Sequence, residues 1–448
     1  MKCSLFFLMF VCACQVAHSQ KISRKEFQEE IEIAVLVLTD VHANPFAFQT
    51  EEGLIQLKDS ILHEHNSKDS ISVLTAFQCY ANLVSSIKCA HSGAYRTKEL
   101  DSTIHPFPVE IKIIEEKGFI ARNYPVLNLF TGDQIVSINN IAWKSIFVKG
   151  KNLHSSDGDS PLNGALFERR YNLDIPIILG NPVDFKAVTL HDGVLVESDF
   201  DASRMAASPR ICQSFNFCIV GADKNIGLIK VINFPSDEKS IADFEKFCMK
   251  TLSKLERKKI KDVIIDIRDN GGGDRIDLLL RNFTSTSFKL MSSTIDTSNL
   301  TKYSRELVFH GTTYENVLKT PAKSQLARQV DFQGDLYLDI NIYVLVNGRT
   351  ASAASHFASL VKEHDLGKIA GTETGGRAAG CNGNLYCSYF LSNSGIELHF
   401  PLMVNTYAVD QVDNPNHGVF PDIIIKEELS DDLELTKLIE IINKHNMH

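Results

Sequence analysis

The chain has little of several features that mark common protein classes. Among its 448 residues, 46 Lys and Arg are outnumbered by 55 Asp and Glu, so the net charge is −9. A mildly acidic surface argues against a nucleic-acid-binding protein. Beyond the first residues, no apolar run is long enough to span a bilayer as a helix, which excludes a transmembrane segment. Internal repeats and low-complexity tracts are also missing.

Metal-binding patterns are missing as well. None of the ten cysteines stands in a tight Cys-x-x-Cys or His spacing, so we expect no metal and no other cofactor. The cysteines beyond the first twenty residues are three close pairs and one single residue: Cys79/Cys89, Cys212/Cys218, Cys381/Cys387 and Cys248. In an oxidising compartment the pairs would form local disulfides. The alternative is that they are buried apolar thiols.

The first residues predict export. Lys2 precedes a short apolar run, and Ala17 and Ser19 are small residues where a signal peptidase reads the chain. We therefore expect a signal peptide over residues 1–19 and a secreted or periplasmic mature protein. An alternative is lipid anchoring at Cys14, although the residues before it match a lipoprotein cleavage site poorly.

Two segments with distinct patterns precede residue 206. Apolar residues recur at helical spacing over residues 69–88, which predicts an amphipathic helix within an N-terminal helical domain of residues 20–105. Residues 109–114 and 118–121 read as strands, and a Gly-Asp turn at 132–133 leads into a hairpin closed by Asn139 and Asn140. This motif resembles PDZ domains, which bind chain ends at a sheet edge. We expect a PDZ-like domain over residues 106–205; the alternative is an ordinary β-hairpin.

Residues 206–448 have the pattern of an α/β core. Strands are predicted at 226–234, 262–267 and 341–347, and helices at 241–257, 274–283 and 350–362. The strands at 262 and 341 are nearly continuous apolar runs, as in parallel strands buried on both faces. Alternating β and α units favour the α/β class. The polar stretch at 284–340 is predicted to be an irregular insertion.

Two of the loops that follow buried strands contain residues suited to acyl transfer. Three consecutive glycines, Gly271 to Gly273, allow a sharp turn whose N–H groups point at a developing oxyanion. The other loop places Ser352 among small residues at the start of a helix, as a nucleophile elbow does. The alternatives are a plain tight turn and an ordinary helix cap.

Together these loops resemble a known family. Asp-x-Arg-x-Asn-x-Gly-Gly at 266–273 and Thr-Ala-Ser-Ala-Ala at 350–354 are similar to the signature of peptidase family S41. That family holds C-terminal processing proteases, the tricorn core protease and the chlamydial protease-like activity factor. Residues 226–231, 371–376 and 416–422 resemble three further family motifs. The resemblance implies a crotonase-like ββα core, a PDZ-like domain and endopeptidase activity.

The candidate general base of this chain differs from the general base of one branch of the family. In the Ser/Lys branch a lysine lies 25 positions after the nucleophile, where this chain has Arg377, and arginine stays protonated. The other branch takes a histidine from the N-terminal region, and His91 lies at the matching helix end. His417 and His356 are rivals.

The resemblance also implies an acidic residue that orients the histidine. That residue lies shortly before the closing motif, where this chain offers Asp413 and Asp410, of which Asp413 is nearer to the motif.

The predicted function is that of a secreted serine endopeptidase acting on unfolded or C-terminal protein segments. Ser352 attacks the peptide carbonyl, His91 transfers the proton, and Asp413 or Asp410 orients the imidazole. The N–H groups of Gly272 (or Gly273) and Ala353 hold the oxyanion. Partners are protein or peptide substrates, and a homo-oligomer is left open. The alternative function is a non-catalytic protein of the same fold that binds peptides or apolar ligands.

Overall fold

The computed structural model describes residues 21–202, 214–221, 225–320, 323–324, 329–330, 338, 340–410 and 412–445. The predicted signal peptide and Cys14 lie outside these residues. Among the described residues, no helix is both long and apolar enough to cross a membrane.

The N-terminal region is mainly helical. Its elements are β1 (Lys21–Ser23), α1 (Arg24–Val41), α2 (Glu51–Glu64), β2 (Ser70–Ser72), α3 (Val73–Ser86), β3 (Gly93–Tyr95) and α4 (Lys98–Asp101). The predicted amphipathic helix is α3, but it starts later than expected, because residues 70–72 pair with β1 as a strand. Ser72 then caps the helix by accepting a hydrogen bond from the Thr75 N–H at 3.1 Å.

The next region contains an antiparallel sheet and two helices. Its elements are β4 (Ile111–Ile114), β5 (Lys117–Ile120), β6 (Gln134–Ile138), β7 (Ile141–Ala142), α5 (Trp143–Lys151), α6 (Leu162–Ile178), β8 (Asp184–His191) and β9 (Val194–Asp201). The strand order is β4-β5-β6-β8-β9, with β7 paired to β6. The predicted Asn-Asn hairpin is confirmed: Asn139 and Asn140 both have positive φ, 49° and 64°, as a tight hairpin turn requires.

The C-terminal half alternates strands and helices. Its elements are β10 (Phe215–Val220), β11 (Ile226–Val231), α7 (Glu238–Arg257), β12 (Asp262–Asp266), α8 (Asp277–Leu280), β13 (Phe288–Lys289), β14 (Met291–Ile295), β15 (Leu307–His310), α9 (Tyr314–Leu318), β16 (Lys323–Ser324), β17 (Gln329–Val330), β18 (Asn341–Val346), α10 (Ala353–Glu363), β19 (Lys368–Gly371), β20 (Gly380–Asn382), β21 (Tyr386–Phe390), β22 (Glu397–Pro401), β23 (Met403–Tyr407), β24 (Ile423–Ile424) and α11 (Asp431–His445).

A largely parallel sheet forms the centre of this half. Its order is β10-β11-β12-β18-β19-β24, and only the β10–β11 pairing is antiparallel. Side chains on one face, such as Ile265, pack with α7 and α10, while those on the other, such as Ile264, pack with α11. Burial on both faces explains the nearly continuous apolar runs. The α/β prediction is therefore confirmed.

The described residues of 284–340 are more ordered than their composition predicted. Strands β14 and β15 belong to two sheets, β16-β14-β23-β20 and β15-β21-β22-β3, in which their neighbours β23 and β21 come from later in the chain. These strands are ordered by pairing with partners about a hundred residues away in the chain. Local composition does not show such pairing. The second sheet also includes β3 from the N-terminal region, and one hydrophobic cluster runs from Ile22 to Met403. The domain boundaries at 105 and 205 stay predictions.

The disulfide prediction is wrong for the two pairs that lie among the described residues. Cys79, Cys89, Cys381 and Cys387 are all free and buried. Cys79 lies within α3, where its Sγ is 3.4 Å from His65 Nε2, whereas Cys89 follows the helix end. The other two cysteines belong to different sheets, on β20 and β21. These thiols fill the core, and Cys212 of the third pair lies outside the described residues.

Candidate active site

Ser352 lies on a strained turn between β18 and α10. Its backbone has φ 53° and ψ −126°, a conformation that residues other than glycine rarely adopt. Its side chain makes no capping hydrogen bond to the helix it precedes. The helix-cap alternative is therefore not supported, and the geometry is that of a nucleophile elbow, which presents Oγ away from the backbone.

His91 is the side chain that meets this serine. Its Nε2 lies 3.0 Å from Ser352 Oγ, although 261 positions separate the two residues. His91 follows the end of α3 and precedes β3, in a loop where the Ser92 N–H donates to Cys89 O at 3.0 Å. Ser155 Oγ donates to Ser92 O at 2.8 Å and so ties this loop to the rest of the protein. The structure thus brings the predicted nucleophile and base within hydrogen-bond reach.

The imidazole is packed against an aromatic ring. Its ring stacks on Tyr386 with centroids 6.2 Å apart, and its Nδ1 is buried without a hydrogen-bond partner among the described residues. Burial lowers the pKa of His91 below its ordinary value, and the negative charge of Asp157 opposes this shift. The ring is therefore neutral at neutral pH, the form that accepts a proton.

The structure does not bring Asp413 or Asp410 to His91. Asp413 has a 79% exposed side chain whose Oδ2 is 3.9 Å from Lys362 Nζ, and Asp410 is exposed. Asp413 and Lys362 of α10 line one pocket, together with other residues of the segment between β23 and β24. Proximity in sequence to the closing motif was therefore a poor guide to contact with the imidazole.

Asp157 is the acidic residue that sequence reasoning missed. It is 1% exposed, and its Oδ2 accepts a hydrogen bond from the Arg377 N–H at 3.0 Å. The neighbouring Gly158 N–H donates to Lys88 O at 3.0 Å, so the loop packs against the segment that carries His91. Its only sequence signal is a short polar loop, Ser-Ser-Asp-Gly-Asp-Ser at 155–160, which looks like any surface turn.

The glycine loop faces the nucleophile. A side chain at Gly272 would place its Cβ 2.8 Å from Ser352 Cβ, and Gly272 has φ +117°. Its N–H, however, donates to Asn270 Oδ1 at 2.8 Å, so this donor is already used within the loop. Gly273 and Ala353 have no hydrogen bond from their N–H groups within the described part of the chain. Of the three predicted oxyanion donors, these two are free.

Ion pairs hold both loops in place. Arg268 donates to Asp266 through Nε at 3.0 Å and NH2 at 2.8 Å, and its NH1 donates to Glu434 at 2.9 Å. In the serine loop, Arg349 Nε donates to Asp269 Oδ1 at 2.7 Å. Buried charges need partners of this kind, and the second pair joins the two loops directly.

The rival histidines are engaged elsewhere. His356 Nε2 lies 2.9 Å from Leu290 O, and its ring stacks on Tyr407 with centroids 3.9 Å apart. His417 Nδ1 lies 3.0 Å from Glu373 Oε1. Of these three histidines, His91 is the one bonded to Ser352.

Comparison with known proteins agrees with this geometry. Residues 225–425 match a peptidase model. The model is that of peptidase family S41, so the predicted family resemblance is confirmed over these residues. A comparison with curated proteins gave no match.

Solved structures show the same fold over nearly the whole chain. The crystal structure of mature CPAF has a TM-score of 0.63 at 13% identity, covering 94% of this chain and 97% of that chain. Mature CPAF complexed with lactacystin has a TM-score of 0.62 at 13% identity, covering 95% and 98%. At this identity the likeness concerns the fold.

Proposed function

We propose that this protein is a secreted serine endopeptidase that hydrolyses peptide bonds in unfolded or C-terminal protein segments. The observation that carries the proposal is the 3.0 Å contact between Ser352 Oγ and His91 Nε2 beside a glycine loop. A nucleophile and a base within hydrogen-bond reach, next to unused backbone donors, are the parts that acyl transfer needs.

In the proposed mechanism, Ser352 Oγ attacks the peptide carbonyl while His91 Nε2 accepts its proton. The N–H groups of Gly273 and Ala353 bind the resulting oxyanion. His91 then gives the proton to the leaving amine, which departs and leaves an ester on Ser352. His91 then takes a proton from water, which attacks that ester, and gives the proton to Ser352 Oγ as the carboxylic acid leaves. Asp157 acts through space, since its negative charge favours the imidazolium that forms in each step.

The test is labelling with a fluorophosphonate probe together with hydrolysis of casein as a denatured substrate. Wild-type protein should be labelled once and should cleave casein, and Ser352→Ala should lose both properties with an unchanged circular dichroism spectrum. Ser60→Ala, on the exposed face of α2, is the matched control and should keep both. Loss of the nucleophile typically costs several orders of magnitude in rate, so activity above about 1% of wild type in Ser352→Ala would reject the assignment.

A wild-type protein that is folded but neither labelled nor active would favour the alternative of a non-catalytic binding protein. No feature of the described residues favours that alternative over the peptidase.

A further inference from the structure

A second cluster of titratable side chains lies on the sheet β15-β21-β22-β3. Glu397 and His399 are two positions apart on β22 and therefore project from the same face. Ser388 on β21 pairs directly with His399, and Val308 on β15 pairs with Ser388, which places His310 two positions further along the same face. The sheet register thus gathers His310, Ser388, Glu397 and His399.

The three potential ligand atoms are close to one another. One atom each from His310, Glu397 and His399 lies within 4.8 Å of the other two. Glu397 Oε1 is 3.9 Å from His310 Nε2 and 3.8 Å from His399 Nδ1. Bonds of about 2.0–2.2 Å to a tetrahedral Zn²⁺ place neighbouring ligands about 3.4 Å apart. Shifts of about half an ångström would bring the glutamate oxygen to such a distance from both nitrogens.

A single hydroxyl already connects the same three atoms. Ser388 Oγ donates to Glu397 Oε1 at 2.5 Å and lies 2.7 Å from His310 Nε2 and 3.1 Å from His399 Nδ1. All three atoms therefore converge on the Ser388 hydroxyl, whose contacts an ion would replace. A neutral imidazole coordinates through a nitrogen without hydrogen, so each ring would carry its proton on the other nitrogen.

Aromatic neighbours fix the ring of His399. Tyr386 stacks on it with centroids 5.2 Å apart, and Tyr95 meets it edge-on at 5.9 Å. Ligands held by their surroundings lose little freedom on binding. The side chain of His310 is 41% exposed, so an ion can enter from solvent and this ligand can move to meet it.

We propose that His310 Nε2, His399 Nδ1 and Glu397 Oε1 bind one divalent transition-metal ion of the zinc type. Two imidazoles and one carboxylate form a ligand set that Zn²⁺ takes in proteins, with water in the fourth position. Mg²⁺ and Ca²⁺ prefer oxygen ligands alone and fit this set poorly. The proposal does not depend on the peptidase activity.

Sequence spacing does not reveal this cluster. His310 lies in the segment predicted to be irregular, and the nearest other ligand, Glu397, is 87 positions away in the numbering. The pairing of β15 with β21 and of β21 with β22 brings them together. The expectation that no metal binds rested on cysteine spacing, which does not bear on this set.

For the test, the full-length protein is first treated with a chelator. It is then titrated with ZnCl₂, and calorimetry measures the binding. Wild-type protein should bind one Zn²⁺ per chain. His310→Ala, His399→Ala and Glu397→Gln should each weaken binding about ten-fold or more, since even the loss of an indirect contact to a metal costs about 10–100-fold. His63→Ala, an exposed histidine on α2, should bind as wild type does. Circular dichroism of each variant checks folding, and His310→Ala, which removes an exposed side chain, keeps the test interpretable if His399→Ala does not fold.

Two further measurements define the ligand set. Ser388→Ala removes the hydroxyl but none of the three ligands, so it should still bind one Zn²⁺ with an affinity close to that of wild type. Co²⁺ in place of Zn²⁺ should give the intense visible absorption of a tetrahedral site, and His399→Ala should abolish it. The proposal is overturned if wild-type protein binds no Zn²⁺, if the His310 and His399 variants bind as tightly as wild type, or if Ser388→Ala loses binding to the same extent as His399→Ala.

Discussion

Arg377 and Asp157 form a buried pair next to the proposed base. The Arg377 N–H donates to Asp157 Oδ2 at 3.0 Å, and its Nε lies 3.5 Å from Oδ1. Arg377 stands where the Ser/Lys branch of the family carries its lysine. In this chain the position instead anchors a carboxylate whose charge acts on His91. The pair gives a physical reason why the arginine is compatible with a Ser/His mechanism.

Replacing Arg377 should therefore damage activity far less than replacing His91. Arginine cannot accept a proton at physiological pH, whereas a general base contributes about 10²–10⁴-fold. We expect His91→Ala to lower kcat/KM by about 10³-fold and Arg377→Ala by less than about ten-fold. Steady-state kinetics on a fluorogenic peptide measure both, with Arg377→Lys as the variant that keeps the charge. Equal losses in His91→Ala and Arg377→Ala would remove the main support for a histidine base.

The pH dependence of kcat/KM should have its midpoint below the ordinary histidine value of about 6.5. Burial lowers the pKa of His91 more strongly than Asp157 raises it. The base must be neutral, so kcat/KM should rise as the pH increases through this pKa and stay level above it.

The Asp157→Asn variant tests the cause of that midpoint. Removing the negative charge removes the influence that raises the pKa of His91, so the midpoint should move to still lower pH. The plateau rate should also fall, because the imidazolium formed during the reaction loses a favourable charge. Circular dichroism checks that the variant folds. A midpoint that does not move, or a profile that keeps rising to pH 9, would contradict the role of Asp157.

Asp413→Asn and Asp410→Asn should leave the pH profile and the rate unchanged. Both residues are exposed, and His91 Nδ1 has no hydrogen-bond partner among the described residues. Neither substitution changes a group that contacts His91 or Ser352, so kcat/KM should stay close to that of wild type. The measurement is kcat/KM from pH 5 to 10. A large loss in either variant would show that this segment reaches His91 during the reaction.

A methyl group on Gly272 should block the site. Its Cβ would lie 2.8 Å from Ser352 Cβ and 3.1 Å from Ser352 Oγ, and φ +117° disfavours any side chain. Displacing a reacting group by about 1 Å can cost about 10²-fold, so Gly272→Ala should lose at least that much in kcat. Gly271→Ala is the matched control, since nothing lies within 4 Å of its Cβ, and it should behave as wild type. Similar activity in the two variants would contradict the close approach of Gly272 to Ser352.

Local patterns in the sequence were sufficient to predict the strand and helix units of the core, the Asn139–Asn140 hairpin, the two functional loops and the position of Ser352. Each depends on residues close together in the chain, where side-chain periodicity and backbone preferences act. The arginine at position 377 likewise argued, by its chemistry alone, against a lysine base at that position.

Only the tertiary structure decided which distant groups meet. It brought His91 to Ser352, and it placed Asp157, and not Asp413, as the carboxylate whose charge acts on the imidazole. It left Cys79 and Cys89 as free thiols. It also gathered His310 with Glu397 and His399. These contacts come from sheet register and loop packing between segments far apart in the chain. Burial, which sets the pKa of His91, is likewise a property of the folded protein and not of any local pattern.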